Sequence, residues 1–382
     1  MGRLGFLVGI LSATLGCGRM GFDDQVTPIE QCTLALDAGG PRLNYHSQRA
    51  IQIVGGTDPI ELAITGPATI DAVGVVSALA ASGTATITAT DAGGCTAQAS
   101  LEIGGASLWY VAGSSMTVPS PQVWRSDDGL AWSNVGSLPD KRTSGALLVF
   151  HDQLWWITGS DGVGNRDEVF SSADGVTWTL AGHVPKAGAN SGHAVFHDKM
   201  WIIGGAASPD TDNVYSSSDG ATWTLAGHLP NENHGGSAVV MNDKLWYLGG
   251  HSNTDGLLFD WVLSSAEGVT WQQVGTLPSG REYAAAFVYD TSIVVTGGQD
   301  LSAVKTTSVV ETANGAAFTA LPALPVARAF GAIAKWRGEA WAVGGSDGGA
   351  VFRGTLGTGW ISPTTNFPVP RQGGRLAVFT AP

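Results

Sequence analysis

The chain has 382 residues, enough for two domains, and a formal net charge of −13. That charge excludes a nucleic-acid binder, which needs a basic face to displace counterions, and excludes electrostatic docking on an anionic membrane. With 54 Gly, 14 Trp and only 13% charged residues, and no sustained helical period of apolar residues, the composition points to many short strands joined by tight turns.

The first element is a processing segment. Arg3 gives a positive start and Leu4 to Leu15 form an apolar run too short to span a bilayer as a mature helix. Small residues then lead into Cys17 through Thr14-Leu15-Gly16. This resembles a bacterial lipoprotein signal, although Thr14 stands where that family prefers Leu. The resemblance implies a signal peptide over 1–16, cleavage before Cys17 and lipidation of its sulfur. An ordinary secretion signal cut nearby is the alternative, and either predicts export. Residues 17–27 read as a polar tether.

Of the three cysteines, Cys32 and Cys95 remain, flanking one segment. In an oxidising compartment they are expected to form a disulfide, with two free thiols as the alternative. Between 28 and 105 the pattern predicts a small β domain with strands at Ala50–Val54, Ile60–Ile64, Ala85–Ala89 and Ser100–Ile103, separated by Gly-Gly, Gly-Pro and Asp-Ala-Gly-Gly turns. It resembles a bacterial immunoglobulin-like module, most clearly over Gly83 to Ile103. That resemblance implies a β-sandwich serving as a spacer.

From 106 to 382 the chain repeats. An apolar strand ending in glycine recurs six times, its last glycines being Gly113, Gly159, Gly205, Gly250, Gly298 and Gly345, at spacings of 46, 46, 45, 48 and 47. Each unit continues with a second strand, then a turn dipeptide such as Asp128-Gly129, Asp174-Gly175 or Asp219-Gly220, expected to close a two-residue hairpin with positive φ. An aromatic follows (Trp132, Trp178, Trp223, Trp271, Phe318), then an apolar-Pro pair such as Leu138-Pro139. Four short strands make one small sheet that cannot bury both faces alone, whereas six sheets packed radially can.

These units resemble kelch repeats. The resemblance implies an all-β, six-bladed kelch-type β-propeller preceded by the immunoglobulin-like β-sandwich, closed by pairing Arg375–Phe379 with Leu108–Val111. The loops after each Pro and after each Gly-Gly are expected to share one face. Counted three residues past each Pro, that face carries Arg142, Gly188, Asn233, Arg281, Arg328 and Gly373, with Lys186, His234, Arg371 and Arg375 nearby. In kelch domains this column often touches ligand. The resemblance therefore makes Arg142, Arg281, Arg328, Arg371, Asn233 and His234 candidate ligand contacts, suited to a carboxylate or an acidic peptide. The alternative is that the arginines are neutralised by Asp161, Asp167, Glu168, Asp210 or Asp212.

Asp174 and Asp219 sit in runs like the Asp-box of sialidase-type propellers, but without the residue between Asp and Gly, and read as turn formers. The recurring Trp155, Trp201, Trp246 and Trp341 read as core. His151 and His197 are repeat equivalents, while His193 has no counterpart in the other units.

No metal or cofactor is expected. A copper radical site of the galactose-oxidase kind needs a cysteine, and none follows Cys95. The function expected is binding: an exported, lipid-anchored envelope protein, at the outer membrane, engaging a protein, peptide or glycan. The alternatives are an enzyme of sialidase or sialic-acid isomerase type, for which Arg281-Glu282-Tyr283 is the compact cluster, and a structural envelope protein without a ligand.

Overall fold

The computed structural model describes residues 32–38, 42–44, 48–78, 82–104, 106–115, 118–186, 188–346, 349–361 and 367–381. The signal segment, Cys17 and the tether lie outside the described residues. Every regular element among the described residues is a strand. The chain divides into two compact units, Met1–Ala106 and Ser107–Pro382.

In the first unit the long strands Ser82–Thr90 and Thr96–Gly104 pair antiparallel. Alternation buries Ala85, Ile87, Ala89 and Leu101, and Ala85, Ile87 and Leu101 pack with Ile51, Ala68 and Val76. Asp91 forms the turn between them, its Oδ1 accepting from Gly93 N (3.0 Å) and Cys95 N (2.8 Å). Cys32 and Cys95 are joined in a disulfide with Cα atoms 5.7 Å apart. The strand expected over Ala50–Val54 is broken at Ile51. Gln48–Ala50 pairs with Val75–Ala78, and Gln52–Val54 pairs with Ala35–Asp37. Ile51 turns its side chain into the core and its N–H to Gly74 O (3.0 Å), so the chain changes sheet there.

The second unit contains six antiparallel sheets of four principal strands each. The second sheet runs Ala146–Phe150, Gln153–Ile157, Glu168–Ser172, Thr179–His183, and the next four repeat that order. The first sheet takes its leading strand from the end of the chain: Arg375–Phe379 pairs with Ser107–Val111, Leu108 opposite Val378. The six leading strands pack side by side. Ala146–Phe150 contacts Gly192–Phe196, and contact passes on through Ser237–Met241, Ala285–Tyr289 and Ala332–Trp336 to Arg375–Phe379, which also contacts Ala146–Phe150.

The tight two-residue turns are not the Asp-Gly hairpins but those between leading and second strands, where His151-Asp152, His197-Asp198 and Asn242-Asp243 all have positive φ. In the Asp-Gly turns only the glycine does, with φ 77° at Gly129 and 74° at Gly220. There Ser172 Oγ accepts from Gly175 N (2.8 Å), and Asp174 Oδ1 accepts from Val176 N (2.8 Å) and Thr177 N (2.7 Å). Asp174 and Asp219 are thus turn formers in the structure as well.

The turn glycines have a second reason. A Cβ on Gly220 would lie 2.0 Å from the Trp155 ring, on Gly175 2.3 Å from Trp109, on Gly268 2.4 Å from Trp201, on Gly315 2.4 Å from Trp246 and on Gly129 2.1 Å from Trp341. Each of these five Trp rings therefore packs beneath the turn of the following sheet, sheet six reaching sheet one in the same way. Sheet five has Val294 at this position, and the shortened turn of sheet six, at Gly359, has Pro322 as its neighbour instead.

Candidate functional site

The glycine that ends each second strand also anchors the loops of the shared face. Its N–H donates to the backbone of the column residue: Gly113 to Arg142 O (3.0 Å), Gly159 to Gly188 O (2.9 Å), Gly205 to Asn233 O, Gly250 to Arg281 O and Gly298 to Arg328 O (each 2.8 Å), and Gly345 to Arg371 O (2.7 Å). The sixth column position is therefore Arg371, one residue past Pro370, and not Gly373.

Two residues further on, six peptides form a closed cycle. Asn190 N donates to Ser144 O (2.7 Å), Gly235 N to Asn190 O (2.8 Å), Tyr283 N to Gly235 O (2.7 Å), Phe330 N to Tyr283 O (3.0 Å), Gly373 N to Phe330 O (3.0 Å) and Ser144 N to Gly373 O (2.6 Å). All six residues have φ between 52° and 71°. Glycine adopts that conformation freely, while Tyr283 and Phe330 hold it against a steric cost of roughly 1–2 kcal/mol each.

The expected arginine rim is not exposed. Arg142, Arg281, Arg328 and Arg371 are all buried, and so are Asn233 and His234. Arg281 Nη1 donates to Gly297 O (3.2 Å), Arg328 Nη1 to Gly344 O (3.1 Å) and Asn233 Nδ2 to Gly249 O (3.1 Å). These three side chains satisfy the same carbonyl, sixteen residues on, in three successive sheets. Arg142 pairs with Glu168 (2.9 Å) and Asp140 (3.0 Å), and Arg371 donates to Gln122 Oε1. Of the acids weighed as partners for the arginines, Glu168 is the one that neutralises a column arginine. Asp161 pairs with Arg166, and Asp167, Asp212 and Asp210 pair with His183, His228 and His234. The physical reason is local: a guanidinium beside a bent strand end finds carbonyl oxygens that the sheet leaves unpaired.

What the leading strands do enclose is a hollow of about 120 Å³. His193, Ser191, Tyr283, Phe330 and Arg375 line it. Arg375 donates to Gly374 O (3.3 Å) and has no carboxylate partner among the described residues. Burial lowers its pKa to about 10, so it stays a cation at neutral pH. Burial and the Arg375 charge push the His193 pKa down to about 3, leaving the imidazole neutral.

Behind Tyr283 lies a buried polar cluster. Asp210 Oδ2 meets His234 Nδ1 at 2.9 Å, and His234 Nε2 meets Tyr283 Oη at 3.1 Å. Beside them His251 pairs with Glu282, whose other oxygen accepts from Gln299 Nε2 (2.9 Å). Burial, then the neighbouring His251, lowers the His234 pKa. For His251 burial acts in the same sense, but the adjacent Glu282 carboxylate, and then the hydrogen bond to Asn253 Oδ1, outweigh it and raise the pKa. Burial raises the Tyr283 phenol, and Glu282 raises it further.

Asp210, His251 and Gln299 follow Gly-Gly pairs, and His234, Glu282 and Tyr283 follow Pro, so both loop sets meet here. Of the Arg281-Glu282-Tyr283 cluster, Glu282 and Tyr283 join this group while Arg281 turns into its own sheet. Asp210, His251 and Arg375 were not singled out as site residues. Neither is His193 among the expected site residues, although its lack of a repeat counterpart is visible in the sequence, and the same departure from the repeat marks the others.

No protein-family model matches the chain, and no curated protein matches it either. Among solved structures, one described as "Structure of YjhT" is similar, with a TM-score of 0.54 and 14% identity, over 67% of this chain and 97% of that chain. At that identity the likeness bears on fold alone, and the two chains share an all-β architecture.

Proposed function

We propose that the second unit is a closed six-bladed β-propeller of kelch type and that it binds a ligand through an acidic end group received in the hollow. The cycle of six peptide hydrogen bonds and the stepwise packing of Trp under turn support the propeller reading. The observation that carries the binding reading is Arg375, a cation facing the hollow with one backbone carbonyl as its partner. A carboxylate supplies the paired charge that this guanidinium lacks. The hollow is smaller than the ~150 Å³ cavity known to hold benzene, and well below the roughly 300–1,000 Å³ of small-molecule pockets. It takes one terminal group, with the rest of a peptide or glycan lying outside. In this reading the chain is an exported lipoprotein anchored through Cys17 in the cell envelope, at the outer membrane, and the first unit is an immunoglobulin-like spacer.

The test is an array of peptides with free or amidated C-termini and of glycans with uronate or neutral ends, probed with the full chain. Acid-terminated ligands are expected to bind, and Arg375→Met to weaken them at least about tenfold, the scale of a charge-assisted pair. Equal binding of amidated and neutral ligands, or no effect of Arg375→Met, would sink the reading.

The chain of hydrogen bonds from Asp210 through His234 to Tyr283 favours a second reading, an enzyme that moves a proton on an acidic sugar. Turnover of such a sugar, abolished by Tyr283→Phe, would establish it.

A further inference from the structure

The polar cluster behind Tyr283 has an arrangement that mutual hydrogen bonding alone does not require. We propose that His234, His251 and Glu282 form a binding site for a zinc-type transition-metal dication. All three are buried, and one potential ligand atom from each lies within 4.8 Å of the other two. The backbone holds them there. His234 and His251 exchange reciprocal backbone bonds of 2.9 and 2.8 Å, and Glu282 does so with Gln299 at 3.0 Å each way.

Each residue is tied on one side by an outer partner and turns its other donor atom toward the cluster. Asp210 holds His234 by Nδ1 (2.9 Å), which leaves Nε2 to the cluster side, where Tyr283 Oη meets it (3.1 Å). Asn253 Oδ1 holds His251 by Nε2 (2.9 Å), which leaves Nδ1. Gln299 holds Glu282 by Oε1 (2.9 Å), which leaves Oε2. Asp210 Oδ2 in turn accepts from Asn253 N (2.8 Å), so the outer partners are themselves braced. The three side chains bring one donor atom each to within 4.8 Å of the others. Two of them, His251 Nδ1 and Glu282 Oε2, meet as an ion pair but have no hydrogen bond of proper geometry. Histidines fixed by an outer carboxylate or amide are what metal sites use to set tautomer and aim.

The donor set selects the metal class. Two imidazoles and one carboxylate suit Zn²⁺ and its neighbours, and a His₂Glu set with one open position is a zinc arrangement. Calcium and magnesium want all-oxygen shells. Tyr283 Oη, 3.1 Å from His234 Nε2, stands at the fourth side, between the cluster and the hollow. The inference does not rest on the carboxylate-binding reading, because Arg375 is not among the ligands.

The experiment is isothermal titration of the chelator-stripped full chain with ZnCl₂ at pH 7.5, with CaCl₂ and MgCl₂ alongside. One site per chain, a micromolar or tighter Kd and a rise in Tm with zinc are expected, with no response to calcium or magnesium. Glu282→Gln should weaken zinc binding at least about tenfold. Asp210→Asn, which loosens only an outer partner, should weaken it about 10–100-fold. His197→Ala, in an exposed His–Asp pair, should leave the tight site intact. Circular dichroism confirms that each variant is folded. Cobalt substitution gives a second readout, the intense visible bands of a four-coordinate ion. Failure of wild-type protein to bind zinc overturns the proposal, as does a tight site indifferent to Glu282→Gln and Asp210→Asn together. Neither outcome touches Arg375.

Discussion

Single residues in this chain are constrained by what stands one sheet away. Gly220 has φ 74°, and its missing side chain leaves the space that the Trp155 ring fills. Gly220→Ala therefore combines a left-handed backbone, at about 1–2 kcal/mol, with overpacking against an aromatic ring, at about 1–3 kcal/mol. A loss of about 2–5 kcal/mol in urea unfolding is expected, and a loss under 1 kcal/mol would contradict the packing described. His193 gives a residue-scale dependence on pH. Its folded pKa of about 3 lies below the ordinary value of 6.5, so in that window the unfolded chain takes up a proton that the folded chain refuses. The stabilisation is fully present above about pH 6.5 and is lost as pH falls toward 3. His193→Gln should make the acid-side loss of stability shallower, by up to ~1.4 kcal/mol per pH unit. Superimposable pH–stability curves would refute this.

At the scale of elements, the strand Arg375–Phe379 is decisive. It supplies the leading strand of the first sheet and contacts the leading strands of sheets two and six. Phe379 and Ala377 pack with Trp109 and Trp156, and Trp109 Nε1 donates to Phe379 O (3.1 Å). Phe379→Ala should cost about 3–5 kcal/mol, the range for a buried aromatic truncated to Ala. Ending the chain at Gly374 should do more. It leaves Ser107–Val111 as an unpaired apolar edge, so a broadened unfolding transition and self-association on size exclusion are expected. A monodisperse, cooperatively unfolding truncation would count against this strand as the fastener.

At the scale of the whole molecule, two kinds of reinforcement coexist. The first unit is small and carries the Cys32–Cys95 bridge across 63 residues. A loop of that length contributes about 4 kcal/mol by the chain-entropy model. Cys32→Ser with Cys95→Ser should lower the stability of that unit by about this amount, measured by denaturant unfolding with and without reductant. The second unit has no covalent tie, and the proposed propeller relies on mutual burial of its sheets.

Much of this architecture is legible along the chain, because the repeat is periodic. The Gly-Gly ends, turn dipeptides and following aromatics recur in phase, and each period is one sheet. Strand alternation likewise marks Ala85, Ile87 and Ala89 as core. The column of arginines was visible too, but not its burial. Whether a guanidinium faces solvent or a neighbouring carbonyl depends on the path of the next strand, which spacing from a proline does not encode. The sixth position was misplaced at Gly373 because its loop is two residues shorter.

Sequence by itself determined the all-β class, the repeated unit and the strand that joins the two ends. Tertiary structure alone decided which polar side chains meet. Asp210 and His234 come from one repeat and His251 and Glu282 from the next, 24, 17 and 31 residues apart in succession. Local periodicity carries strand and turn because those depend on neighbours within a few residues. A site assembled from several sheets depends on how their loops converge, and that is a property of the tertiary packing.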